Sequence, residues 1–193
     1  MRQSGARDRL LQTASRLFQE RGFSEVGINE IIEKAETAKA SFYQHFKSKT
    51  ELCEAWLQEV HRRSEEMRNS ILEGPGDSVE KVDRYFQGLE EFLAASDFRG
   101  CPYSNTGAVV DEGCCGIRRQ IESHKASIRD FFRDLARGFT ANSDRAAEVG
   151  DALFLVFSGA SIEAQNLRTL WPLRSARRVA REMCEQERER NSD

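Results

Sequence analysis

The sequence predicts an all-α fold of about nine helices. Three observations carry that expectation. Apolar residues recur three and four positions apart along most of the chain, the period of an amphipathic helix. Alternating β-branched runs, the mark of a half-buried strand, are absent. Only three prolines interrupt the 193 residues. With 39% hydrophobic and 32% charged residues, the composition is globular and not disordered. No run of about eighteen apolar residues offers a membrane span, and the N-terminus lacks the apolar core of an export signal. Both point to a cytoplasmic protein without a membrane partner.

A first helix is expected over Ala6–Arg21, where Leu10, Ala14, Leu17 and Phe18 fall on one face. Gly22 stops it, and Phe23 folds back onto the core. Ile28, Ile31, Ile32 and Ala35 make the face of a second, short helix. Glu36, Thr37 and Ala38 form a three-residue break. A third helix follows over Ala38–Phe46, with Phe42 and Phe46 directed inward and Lys39, Ser41, Gln44 and His45 elsewhere. Two short helices around such a turn match a helix-turn-helix, whose second helix enters the major groove of DNA. An ordinary αα-corner with a solvated polar face has the same periodicity.

Residue order adds to this. The segments A-S-R-L-F-Q-E-R-G-F (14–23), I-x-x-I-I-x-K-A (28–35), K-A-S-F-Y-Q-H-F (39–46) and K-S-K-T-E-L (47–52) follow one another without gaps. Together they resemble the N-terminal domain of the TetR family of bacterial transcriptional regulators. The resemblance implies DNA contacts by Thr37, Lys39, Ala40, Ser41, Tyr43, Gln44 and His45. Tyr43 and His45 are assigned to phosphates, and Thr37, Lys39, Ala40 and Gln44 to base edges, where glutamine suits adenine and lysine suits guanine. Three departures from the family stand out. Val26-Gly27 replaces the usual hydroxyl cap of the second helix. Glu36 stands where a glycine is usual, so a left-handed turn there would cost about 1 kcal/mol. Ala38 replaces a Ser or Thr cap.

Ser48 and Glu51 spell an S-x-x-E capping box for a fourth helix reaching about Asn69, with an apolar stripe at Leu52, Trp56, Val60 and Met67. Lys47 and Lys49 flank its start, where a helix N-terminus and an ammonium together suit a phosphate. Gly74-Pro75-Gly76 breaks the chain. A fifth helix starts at Asp77 or Ser78, with Val79, Val82, Phe86, Leu89, Phe92 and Leu93 inward. After a loop at Arg99–Pro102, a short sixth helix spans Tyr103–Val110. A break at Glu112–Gly116 precedes a seventh helix over Ile117–Phe139. The eighth, Arg145–Leu170, is apolar nearly all round between Val149 and Ile162, so two faces seek burial. Pro172 opens the ninth, and the tail beyond Glu185 is expected to fray. The organisation expected is a helix-turn-helix DNA-binding domain at 1–47 and a helical regulatory and dimerisation domain at 48–193.

Net charge is −3, yet residues 1–49 hold nine Lys/Arg against six Asp/Glu, or +3, leaving −6 on the remainder. Positive charge thus gathers at the expected reading head. A doubly apolar eighth helix asks for a second copy, and the resemblance implies the same homodimer. Val156, Gly159, Ala160, Glu163, Leu167, Val179 and Met183 are its expected face, on helices 8 and 9. A symmetric dimer would place two recognition helices about 34–36 Å apart on a near-palindromic operator. The resemblance also implies a pocket for a small-molecule effector, with Trp56, Phe86, Tyr103, Phe132, Phe157 and Gln165 as candidate walls and plain core as the competing reading.

The five cysteines (53, 101, 114, 115, 184) are odd in number and irregularly spaced, which suits reduced thiols. Cys101, two residues after Arg99, is the candidate for a thiol-based redox or electrophile sensor. Metal-ligand spacings and cofactor or catalytic motifs are absent, so neither a metal, a cofactor nor an enzyme is expected. A helical protein-interaction adaptor remains the other alternative. The reading favoured is a DNA-binding regulator, a repressor that leaves its operator when a ligand binds.

Overall fold

The computed structural model describes residues 5–111 and 113–191. Among them are nine α-helices and no strand: α1 (Ala6–Arg21), α2 (Ile28–Lys34), α3 (Lys39–His45), α4 (Lys49–Glu73), α5 (Ser78–Ala95), α6 (Pro102–Gly107), α7 (Cys115–Ala136), α8 (Ser143–Leu167) and α9 (Trp171–Arg190). The fold class is the one expected. No helix is long and apolar enough to cross a membrane among the described residues. Glu112, part of the break expected before the seventh helix, lies outside them.

The chain divides into two compact units, Met1–Arg63 with Pro102–Ser123, and Ser64–Cys101 with His124–Asp193. The division differs from the break expected after residue 47. The first half of α4, α6 and the start of α7 join the helix-turn-helix because they supply its core. Trp56 packs on Phe18 at 5.3 Å between ring centroids, and the Tyr103 hydroxyl donates to the Leu57 carbonyl at 2.5 Å.

In the first unit, Leu10, Ala14, Leu17 and Phe18 of α1 are buried with Ile31 of α2, Phe42 of α3 and Leu52, Cys53 and Leu57 of α4. Gly22 closes α1 with φ +92° while its N–H donates to the Phe18 carbonyl. Glu36 does adopt the left-handed conformation, with φ +50°. Its neighbours hold it there: the Glu36 N–H donates to Glu33 and the Thr37 N–H to Ile32.

In the second unit, α5, α7, α8 and α9 bury one apolar cluster built from Val82, Phe86, Phe132, Leu135, Leu153 and Ala180. Phase differs from expectation at two places. On α4, Met67 is exposed and Arg68 is buried instead; on α5, Tyr85 is buried and Phe92 exposed. Boundaries move as well. The seventh helix starts at Cys115 and ends at Ala136. The eighth stops at Leu167 because Arg168 turns left-handed, φ +50° and ψ +44°. The ninth runs on to Arg190, past the point where fraying was expected. Glu187, buried, pairs with Arg145 and Arg190, and the Asn191 side chain accepts from the Ala141 N–H at 3.2 Å.

Candidate nucleic-acid interface

The third helix is anchored from beneath. Phe42 and Phe46 are buried, their rings 6.1 Å apart, and Arg7 lies over the Phe46 ring at 5.4 Å. With those rings inward, helical geometry turns Lys39, Ala40, Tyr43 and Gln44 outward, and all four are exposed, Tyr43 at 48%. Thr37, Ser41 and His45 are half-buried at the margins of this surface, and Lys47 is exposed just beyond it. The Thr37 hydroxyl donates back to the Ile32 carbonyl at 3.4 Å, which holds it to the turn. Gly27 and Ala38, the N-caps of α2 and α3, contribute no side-chain hydrogen bond, so the first N–H groups of both helices keep their donors free of side-chain caps.

Lys49 is placed differently from the expectation. Its ammonium donates to the Phe23 carbonyl at 2.8 Å and to the Val26 carbonyl at 3.0 Å, and sits 4.4 Å from the Phe23 ring centroid. Partial burial lowers its pKa, opposed by the Glu25 carboxylate. It clamps the chain entering α2. Arg9 does comparable work on the other side, donating from Nε to the Ala35 carbonyl at 3.2 Å. Neither role was legible in sequence, since the acceptors are backbone carbonyls more than twenty residues away. Ser48 caps α4, accepting from the Glu51 N–H at 3.1 Å. The return bond of the box lands one residue early, from the Lys47 N–H to the Glu51 carboxylate at 2.7 Å.

The six candidate effector residues are divided between the two units. Trp56 and Tyr103 belong to the first unit, and Phe86, Phe132, Phe157 and Gln165 to the second. Phe86 and Phe157 stack on Phe132 at 6.1 and 5.9 Å, and all three are buried core. The Gln165 amide lies over Gly100, where a Cβ would displace it, and Gly100 itself stands at φ +70°, a conformation that strains other residues. A groove opens instead on the surface of the second unit between Pro75–Gln87 and Arg181–Arg188, where charges such as Arg188 and Asp77 pair with each other.

Of the expected dimer face, Gly159, Glu163, Leu167 and Val179 are exposed, while Val156, Ala160 and Met183 are half-buried. Val156 and Ala160 pack on the chain's own core. Leu155, 67% exposed, Ile162 and Trp171 were not anticipated and are bare. None of the five cysteines is in a disulfide, and Cys101 is half-buried. Burial pushes Cys53 and Cys184 up to about 12.

A family model described as "Bacterial regulatory proteins, tetR family" matches residues 10–56. Along nearly the full length, the HTH-type transcriptional repressor DhaR of Mycobacterium sp. (strain GP1) is 32% identical over 179 residues, covering 90% of this chain and 89% of DhaR. The chain belongs to the TetR family. The HTH-type transcriptional repressor NemR of Escherichia coli is 27% identical over 188 residues, covering 88% of this chain and 89% of NemR. Among solved structures, a TetR-family regulator from Streptomyces coelicolor superposes with a TM-score of 0.81 at 23% identity, over 97% of this chain and 96% of its own. The reduced form of Escherichia coli NemR superposes with a TM-score of 0.77 at 21% identity, over 93% of this chain and 97% of its own. These two share the fold. This TetR-family protein is a DNA-binding transcriptional regulator, not an enzyme. No group of three metal-binding side chains occurs among its described residues.

Proposed function

We propose that the protein is a homodimeric repressor that reads a near-palindromic operator with α3 and releases it when a small molecule binds the helical body. One observation carries the reading: α3 and its C-cap bury Phe42 and Phe46 and present Lys39, Ala40, Tyr43 and Gln44 to solvent on a segment, residues 1–49, of net charge +3. Lys39 and Gln44 read base edges, Ala40 meets a thymine methyl, and Thr37 lies at the turn beside them. Tyr43, His45, Ser41 and Lys47 hold phosphates. Lys49 supports them indirectly, through the clamp on Phe23 and Val26. The bare Leu155, Ile162, Leu167 and Val179 side chains of α8 and α9 meet their copies, with Gly159 allowing close approach. Helix α4 carries the effector's signal, through a two-state shift that changes the separation of the two heads.

Selection of bound fragments from the source genome, followed by fluorescence anisotropy on the recovered duplex, tests this. Lys47→Ala is expected to weaken binding to every sequence and to reduce the salt slope by about one. Lys39→Ala and Gln44→Ala are expected to relax preference at particular base pairs. Uniform weakening by these two would overturn the assignment. Loss of operator binding on alkylation of Cys101 alone would favour thiol sensing instead. Salt-insensitive binding, or none, would favour an adaptor.

A further inference from the structure

Arg68 of α4 is the feature that the reading so far leaves without a role. It is 3% exposed in the second unit, and an arginine cannot shed its charge by losing a proton. Nη1 donates to the Ser64 hydroxyl at 2.6 Å and Nη2 to the Ser127 hydroxyl at 2.6 Å. These are neutral acceptors, and they use two of five N–H groups. Among the described residues no carboxylate comes within ion-pair distance. Glu65, itself exposed, acts on Arg68 only at longer range. A buried cation is ordinarily paired, because leaving water is costly for an unneutralised ion.

We infer that Arg68 anchors a site for a monoanionic organic carboxylate, held by the guanidinium fork with Ser64 and Ser127 beside it. Two features select this chemistry. The guanidinium presents parallel N–H groups that match a planar carboxylate in bidentate fashion. The only other basic side chain among the described buried residues is His124, one turn before Ser127 on α7, so a single full positive charge is on offer and a dianion would be left half neutralised. The rest of the ligand is apolar. Tyr85, close enough to Arg68 for its phenol to feel the charge, has its ring 5.0 Å from Phe131, 5.1 Å from Phe132 and 5.4 Å from Phe157. A body of benzoate or hexanoate type would lie against that cluster. Arg68 stands nineteen residues along α4 from Lys49. This inference rests on the proposed release by a small molecule and specifies the class of that molecule.

Calorimetric titration of the full-length protein with benzoate and hexanoate, against benzamide and hexanamide at matched ionic strength, tests it. At least one acid is expected to bind saturably, with its amide roughly tenfold weaker or more. Arg68→Gln, with unchanged helical circular dichroism, is expected to lose the acid's advantage. Where that variant fails to fold, Arg68→Lys keeps the charge, loses the fork, and is expected to weaken the acid by roughly tenfold. Equal binding of acid and amide, no binding of either acid, or wild-type affinity in a folded Arg68 variant would overturn the site. Operator binding by the ligand-free protein is measured separately. A carboxylate that binds through Arg68 without releasing the operator supports the site and refutes the release mechanism.

Discussion

The helices of the reading head and those of the body begin in different ways. In the head, α1, α2 and α3 start at Gly5, Gly27 and Ala38, and none receives a side-chain cap. In the body, Asp77 and Glu80 form a complete capping box on α5, and Asn142 caps α8. Left-handed non-glycine residues occur in both, Glu36 in the head and Asp97, Phe98 and Arg168 in the body. Its short helices are held by groups from a distance: Arg9 on Ala35, Lys49 on Phe23 and Val26, and Arg21 on the Glu25 carbonyl at 3.0 Å. Local chemistry starts α5 and α8, whereas tertiary contacts hold α1, α2 and α3. Helices of seven residues are marginal alone, so the head's order depends on these clamps. In exchange, the uncapped N–H groups stay open toward the surface where a phosphate would lie.

This contrast can be broken or sharpened. Lys49→Met should cost most, about 2–3 kcal/mol of stability, because two carbonyls lose a charged donor. Urea unfolding together with operator binding would show it, and a variant as stable as the wild type would deny the clamp. The two buried thiols offer a comparison without mutation. Cys53 sits in the first unit and Cys184 in the second, both fully buried and with pKa raised by burial to about 12. At pH 8 each reacts only during an opening, so Cys53 should be alkylated faster, by roughly tenfold if its unit opens about 1.4 kcal/mol more easily. Equal rates by mass spectrometry would mean that the units open together. Asp77→Ala should cost about 1 kcal/mol, as loss of a full box does. Ala38→Ser should gain somewhat less than about 1 kcal/mol by supplying a cap to a backbone already extended there. Gly27→Ser, with nothing within 4 Å of an added Cβ, should change stability by only a few tenths of a kcal/mol. Both are read from urea midpoints.

Most helices could be placed from the sequence within a few residues, because periodicity and punctuation are local. Gly22, the Gly74–Gly76 break and Pro172 each marked an end that the structure keeps. Phase was harder to read where the pattern itself was ambiguous. Helix α8 is apolar nearly all round, so no polar stripe fixed its rotation, and Val156 and Ala160 were chosen in place of Leu155 and Ile162. On α4, Met67 looked like core, and nothing local marked Arg68 as buried, since the serines that receive the guanidinium are recognisable only once Ser127, fifty-nine residues on, is brought to it. The exposed face of α3 was legible because it is the complement of Phe42 and Phe46. The support beneath it was not, because Arg9 and Lys49 bind main-chain carbonyls, which every residue possesses and no sequence distinguishes.

Leu155 and Ile162 lie two turns apart on α8, uncovered in a single chain. Apolar rungs of this kind link the folded state to abundance. A chain that hides them against a twin melts at a temperature that rises with concentration. A regulator present in few copies would then occupy DNA in proportion to the square of its dose, which sharpens the threshold of its response.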